Sequence, residues 1–167
     1  MILGMSLATF TLVHVIISLI GIVSGVLVMF GLLGSSRMPG MTAIFLLTTI
    51  LTSATGFLFP FEKLLPSHIV AILSLVLLAI ACLALYGMKL SGAWRWIYVV
   101  TAMISLYLNV FVLVIQGFLK IPFLHALAPS VPPSEPPFAV VQGLVLLFFV
   151  LVIIGAVRRF RPPATFA

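Results

Sequence analysis

Three histidines, His14, His68 and His125, and two acids, Glu62 and Glu135, are the side chains of this sequence best suited to proton transfer or metal ligation. Imidazoles grouped with carboxylates suit a divalent metal, an axial bond to haem iron or a proton relay. His14 stands apart because it falls inside an apolar run, where an ionisable side chain marks function by default. Asn109 and Gln142 also interrupt apolar runs, and an amide left unpaired in hydrocarbon is costly enough that each must find a partner. His14, Asn109 and Gln142 are therefore the candidate set for a cofactor or small solute, and His14, His68 and Glu62 the candidate set for a metal. Each also has a plainer use. Amides bond helices together, while His68, His125 and both acids fall at or near loops, where polar residues survive in any chain of this composition.

Signatures of other chemistries are missing. The sequence has no HExxH, no paired CxxC, no CxxCH, no glycine-rich phosphate loop and no GxSxG, so hydrolase, redox, haem-attachment and nucleotide sites lack their minimal patterns. A Ser–His–Asp triad cannot be assembled, because the chain has no aspartate. The lone cysteine, Cys82, excludes an intramolecular disulfide.

The elements that carry these residues follow from composition. Of 167 residues, 64% are hydrophobic and 6% charged, where a soluble domain is near half apolar and about a quarter charged. The mean hydropathy is +1.45. Five apolar runs, at about 7–33, 41–61, 69–88, 96–119 and 138–157, contain no Asp, Glu, Lys or Arg, and each approaches the ~20 residues that cross a ~30 Å hydrocarbon layer. Lipid offers the backbone no partners, so runs this continuous must be helices. The expected fold is all-α: a single polytopic transmembrane bundle over 1–167, in contact with the lipid bilayer, with the first helix retained. The formal charge of +6 makes no patch of the kind that neutralises phosphates, so no nucleic-acid partner is expected.

Cations set the expected orientation. Arg37, Lys89, Arg95, Arg158, Arg159 and Arg161 fall on one side, and only Lys63 and Lys120 on the other. The richer side belongs in the cytoplasm, which puts the N-terminus outside. Trp94, Trp96 and Tyr98 then suit an inner aromatic belt. The stretch 120–137, with Pro122, Pro129, Pro132, Pro133, Pro136 and Pro137, cannot continue either flanking helix. Its first part is apolar enough to lie on the outer membrane surface, and its second should be extended.

Small and polar residues line up on helix faces. Thr11, His14, Ser18, Gly21 and Gly25 follow at steps of three and four, and Gly21 with Gly25 makes a GxxxG suited to close backbone approach. Thr101, Ser105, Asn109 and Gln116 repeat the pattern, as do Thr49, Thr52, Ser53 and Gly56. Convergence of these faces inside the bundle is expected, as interhelical polar bonding or as a pocket lining; dimerisation through the GxxxG is the second use of the first stripe.

The segments SATGFLFPFE, LLPSHIVAILSL, GAWRWIYVVTA, SLYLNVFVLVIQ and SEPPFAVVQG together resemble a group of small bacterial multipass membrane proteins that carry no assigned function. The resemblance covers a little over half the chain, from Thr52 to Gln142, and implies a bacterial inner-membrane setting without an activity, ligand or catalytic residue. Two functions therefore stand. One is a non-enzymatic membrane component that engages another membrane protein or itself. The other is an outward-opening site for a metal, haem, quinone or small solute, with His14, Asn109 and Gln142 lining a cavity below His68 and Glu62. No broken helix or inverted repeat favours a transporter.

Overall fold

In the computed structural model, which describes residues 2–60 and 66–162, the chain is all-α. Its helices are α1 (Leu7–Leu33), α2 (Pro39–Gly56), α3 (Pro66–Cys82), α4 (Trp94–Lys120), the short α5 (Pro122–Leu127) and α6 (Pro136–Arg159). Five of the elements are long and apolar enough to cross a membrane. Chemistry at their ends explains where each begins. Ser6 caps α1, its hydroxyl accepting from the Thr9 amide at 3.2 Å. Proline occupies the first turn of α2, α5 and α6, where no intrahelical partner awaits its missing N–H.

Prolines therefore open helices here as well as ending them. The last span begins at Pro136, two residues before the expected apolar run, so the end of the proline-rich stretch does belong to a flanking helix, and the first part of the stretch forms α5. Residues beyond it bend at Ser130, Val131 and Pro132, so this part is not the straight extended segment expected. The second span is shorter than its apolar run. It stops at Gly56, and Phe57 and Leu58 close turns onto Ala54 and Thr55; Pro60 disfavours helical geometry at Phe59 and so limits how far the helix could extend. At its far end α3 runs into a π-helical turn, Leu83–Gly87, and leaves it through left-handed Lys89, Leu90 and Gly92.

The central element is α4, which touches α1, α2, α3 and α6. Its buried residues include Thr101, Ala102, Ser105 and Asn109, small or polar side chains that admit neighbours closely, beside the larger Val99, Met103 and Leu106. Gln116 continues that spacing but is exposed, since the bundle opens beyond Asn109. On α1 the glycines face inward. A Cβ on Gly25 would lie 2.6 Å from Leu106 Cδ1 and 2.9 Å from the Phe45 ring, and one on Gly21 would lie 3.1 Å from Thr49 Oγ1. That face is filled by the chain's own α2 and α4, which leaves no space there for a second copy.

Elsewhere the surface is apolar. Leu12, Leu19, Leu47, Leu144, Leu147 and Leu151 are all exposed, as a lipid-facing belt requires. Because such side chains are no worse off in lipid than in a core, close packing by dispersion holds the helices together. The packed core lies toward one end: Leu32, Phe45, Leu78, Val99, Met103, Leu106 and Phe160 are buried there.

That end also collects cations. Arg95 Nη1 donates to the carbonyls of Val157 and Phe160 at 2.7 and 2.8 Å, and the Arg161 amide donates to Ser35 Oγ at 2.9 Å. The start of α4, the end of α6 and the α1–α2 connection are thereby joined. Trp96 is exposed, but Tyr98 is buried against Phe160 and belongs to the core, not to an aromatic belt. Tyr98 lies one turn past Trp94 on the side of α4 facing the bundle, which the flanking-residue pattern did not register.

Candidate functional site

Toward the opposite end, α1, α2, α3 and α4 separate around a partly open cavity of about 120 Å³. From α1 come His14 and Ser18, from α2 Thr52, Ser53 and Gly56, from α3 His68 and Ser74, and from α4 Asn109, with Val70, Ala71, Leu108 and Val112 as apolar walls. Among the described residues no charged side chain lines it. Seven of the twelve lining residues are polar, but the surface they present to the cavity is mainly apolar, as in small-molecule sites. At one probe sphere or a little more per water, the space holds several waters or one small molecule.

Ser18 and Asn109 bridge α1 and α4. The Ser18 hydroxyl donates to Asn109 Oδ1 at 2.9 Å, and Asn109 Nδ2 lies 3.4 Å from the Ser18 carbonyl. The Asn109 amide is thus held by one firm bond and one long one. His14 Nδ1 lies 2.7 Å from Thr55 Oγ1, and its ring meets the edge of Phe59 at 5.1 Å. Phe59 also stacks edge-on with Phe10, so the imidazole is fixed by one hydrogen bond and an aromatic brace. His68 is buried and lies against Phe57 at 5.6 Å.

Of the residues singled out in the sequence, His14, Ser18, His68 and Asn109 meet at this cavity. Gln142 does not line it. Its Nε2 donates to the Phe111 carbonyl at 3.1 Å and its Oε1 is buried without a partner among the described residues, so it serves the α4–α6 contact. His125 lies on α5, 3.3 Å from the Phe118 carbonyl, and Glu135 is engaged in its own loop. Glu62 lies outside the described residues. Among the described residues no three His, Cys, Asp or Glu side chains come close enough to hold a metal ion together. Ser74 is the lining residue that sequence reading passed over. His68, Ala71 and Ser74 recur at steps of three, the signal that would have found it.

The polar stripes are more self-contained than interhelical bonding would require. Thr48, Thr49, Thr52, Thr55, Thr101 and Ser105 each donate to the carbonyl four residues back in their own helix. A hydroxyl satisfied in this way crosses hydrocarbon without needing a neighbour, which makes these faces permissive to packing while contributing little cross-helix bonding.

Beside this end, Glu135 closes the loop before α6. Its carboxylate accepts from the hydroxyl and amide of Ser130 and from the Ser134 amide. These bonds, the Ser130 hydroxyl first, hold its pKa below the ordinary carboxylate value. A depressed folded-state pKa means the loop contacts are fully present above the ordinary value and are lost as pH falls through the depressed one. Amide exchange at Ser130 and Ser134 should therefore quicken on acidification below the ordinary glutamate range, beyond the intrinsic change. Glu135→Gln should show quick exchange at every pH; slow, pH-independent protection in that variant would remove the carboxylate from the account.

Five helices long and apolar enough to cross a bilayer make this chain a multi-pass membrane protein. No family model, no curated protein and no solved structure matches it.

Proposed function

We propose that this protein is a non-enzymatic component of a bacterial inner membrane that holds a small uncharged polar molecule in a cavity opening to the outer face. The observation that carries the reading is the gathering of His14, Ser18, Ser53, His68, Ser74 and Asn109 around one partly open space that no charged side chain among the described residues lines. Beyond Ser18 and Asn109, Phe45 and Leu106 stand so near Gly25 that an added Cβ would lie 2.9 and 2.6 Å from them, which supports a cavity that ends blindly. A blind cavity retains its occupant and does not conduct it. Its volume of about 120 Å³ is a little below the ~150 Å³ cavity that accepts benzene, which favours a small solute over haem or a quinone ring system. Sidedness rests on the distribution of cations along the sequence, six in the connections and tail of one side against Lys63 and Lys120 in those of the other. The bacterial setting rests on the resemblance of the segments between Thr52 and Gln142.

Thiol accessibility and a C-terminal reporter test the two parts of the reading. With Cys82, the single cysteine, replaced by alanine, Gly56→Cys places a thiol at the cavity, where an added Cβ meets only His14 Cε1, at 4.0 Å. Methyl methanethiosulfonate added to the outer face should modify it about tenfold or more faster than Leu47→Cys on the lipid-facing flank, because reaction needs a hydrated thiolate. Equal rates would close the cavity to water. A reporter fused after Ala167 that works only in the periplasm would invert the proposed orientation.

A further inference from the structure

The hydrogen bonds around His14 fix which of its nitrogens carries the proton. Thr55 Oγ1 lies 2.6 Å from the Leu51 carbonyl oxygen and 2.7 Å from His14 Nδ1. Its single hydrogen cannot serve both. Two oxygens at 2.6 Å with no hydrogen between them repel, whereas the same spacing with the hydroxyl hydrogen placed there is a strong bond. Thr55 therefore donates to Leu51, and Nδ1–H of His14 donates to Thr55. In the neutral ring Nε2 is then left with a bare lone pair. No protein hydrogen bond engages that nitrogen among the described residues, and it is not sealed away as the orphaned Gln142 Oε1 is.

Resting on the reading of the cavity as a binding site, we infer that its ligand is a small neutral molecule that donates an O–H or N–H hydrogen to Nε2 of His14. An alcohol, an amide or an uncharged amine has this chemistry; a ketone, an ether or an anion does not. Asn109 complements it. Its Oδ1 is taken by Ser18, while Nδ2 makes only the 3.4 Å contact to the Ser18 carbonyl and has a hydrogen to spare for an acceptor atom. A hydroxyl group, donor and acceptor at once, satisfies both residues. The walls contributed by Val70, Ala71, Leu108 and Val112 suit a short hydrocarbon portion.

Isopropanol and acetone, nearly equal in size but differing in the O–H, make the test. The full chain, labelled with ¹⁵N-histidine and ¹⁵N-asparagine and held in lipid nanodiscs, is titrated with each while the His14 ring nitrogens and the side-chain amide of Asn109, the single asparagine, are followed by NMR. Free protein should show a protonated Nδ1 and a pyridine-type Nε2. Isopropanol should move Nε2 saturably and bind about tenfold more tightly than acetone. Thr55→Val, which removes the acceptor for Nδ1–H, should release the tautomer and reduce that preference to about twofold or less. Equal binding of the two probes, or a protonated Nε2 in the free protein, overturns the donor assignment and leaves the cavity reading standing. If neither probe saturates, the cavity reading falls with it. Stoichiometric zinc or copper in the purified protein, lost in His14→Ala, would replace the proton donor by a metal and overturn the inference.

Discussion

Gly25→Val should destabilise the bundle by about 3 kcal/mol, the upper end of ordinary overpacking costs. The first added carbon alone falls 2.6 Å from Leu106 and 2.9 Å from Phe45, and both neighbours are completely buried. Leu106 and Phe45 belong to the same buried apolar cluster of the bundle, so neither has open space to retreat into. Separation of α1 from α4 is the remaining response, and it would also lengthen the Ser18–Asn109 bond. Gly143→Val is the matched control, since nothing stands within 4 Å of a Cβ there. Reversible unfolding of both variants in mixed micelles measures the difference. Similar stability for the two would remove close approach at Gly25 from the explanation of the fold.

The second large effect is expected at Arg95. Helix ends leave carbonyls without intrahelical partners, and at the end of α6 the Arg95 guanidinium supplies hydrogens to two of them, Val157 and Phe160. Bonds involving a charged group contribute about 1.5–3 kcal/mol each in favourable settings, and partial exposure of Arg95 reduces that. A loss of about 2 kcal/mol on Arg95→Ala is the expected outcome, concentrated at the α6 terminus. Amide exchange at Phe160, whose N–H bonds the Ala156 carbonyl at 2.8 Å, should rise with it, while exchange at the middle of α6 changes little. Arg95→Lys keeps the charge but shortens the reach, and should recover only part of the loss. Unchanged protection at Phe160 in the alanine variant would show that the terminus is held by something else.

The sequence disclosed the five spans because membrane insertion is decided by local composition, residue by residue along each run. It disclosed the inward stripe of α1 for a similar reason: Ser18, Gly21 and Gly25 share a face, and helical spacing is a local property. What it concealed depended on angles between helices. Gln116 has the spacing of the buried α4 face, yet the bundle diverges before reaching it. Gln142 was grouped with His14 by depth, but it lies against Phe111 on another side of α4. Depth along the membrane normal is readable from the sequence; azimuth around the bundle is not. His68 and Ser74 joined the cavity because α3 packs on both α2 and α4, a tertiary fact with no local signature beyond their three-residue spacing.

The Ser18–Asn109 bond links positions 91 residues apart, and that separation bears on how the chain is made. Translation delivers α1, α2 and α3 to the bilayer well before α4 exists. Through that interval the glycine face of α1 can close against Phe45 and Thr49 of α2 but has no Leu106 to meet, so the early hairpin waits half-assembled. Its threonines tolerate the delay because their hydrogens are already committed to their own helices. Ser18 gains its amide partner only when the fourth span arrives, and the cavity wall that Asn109 provides is completed during the later part of biogenesis.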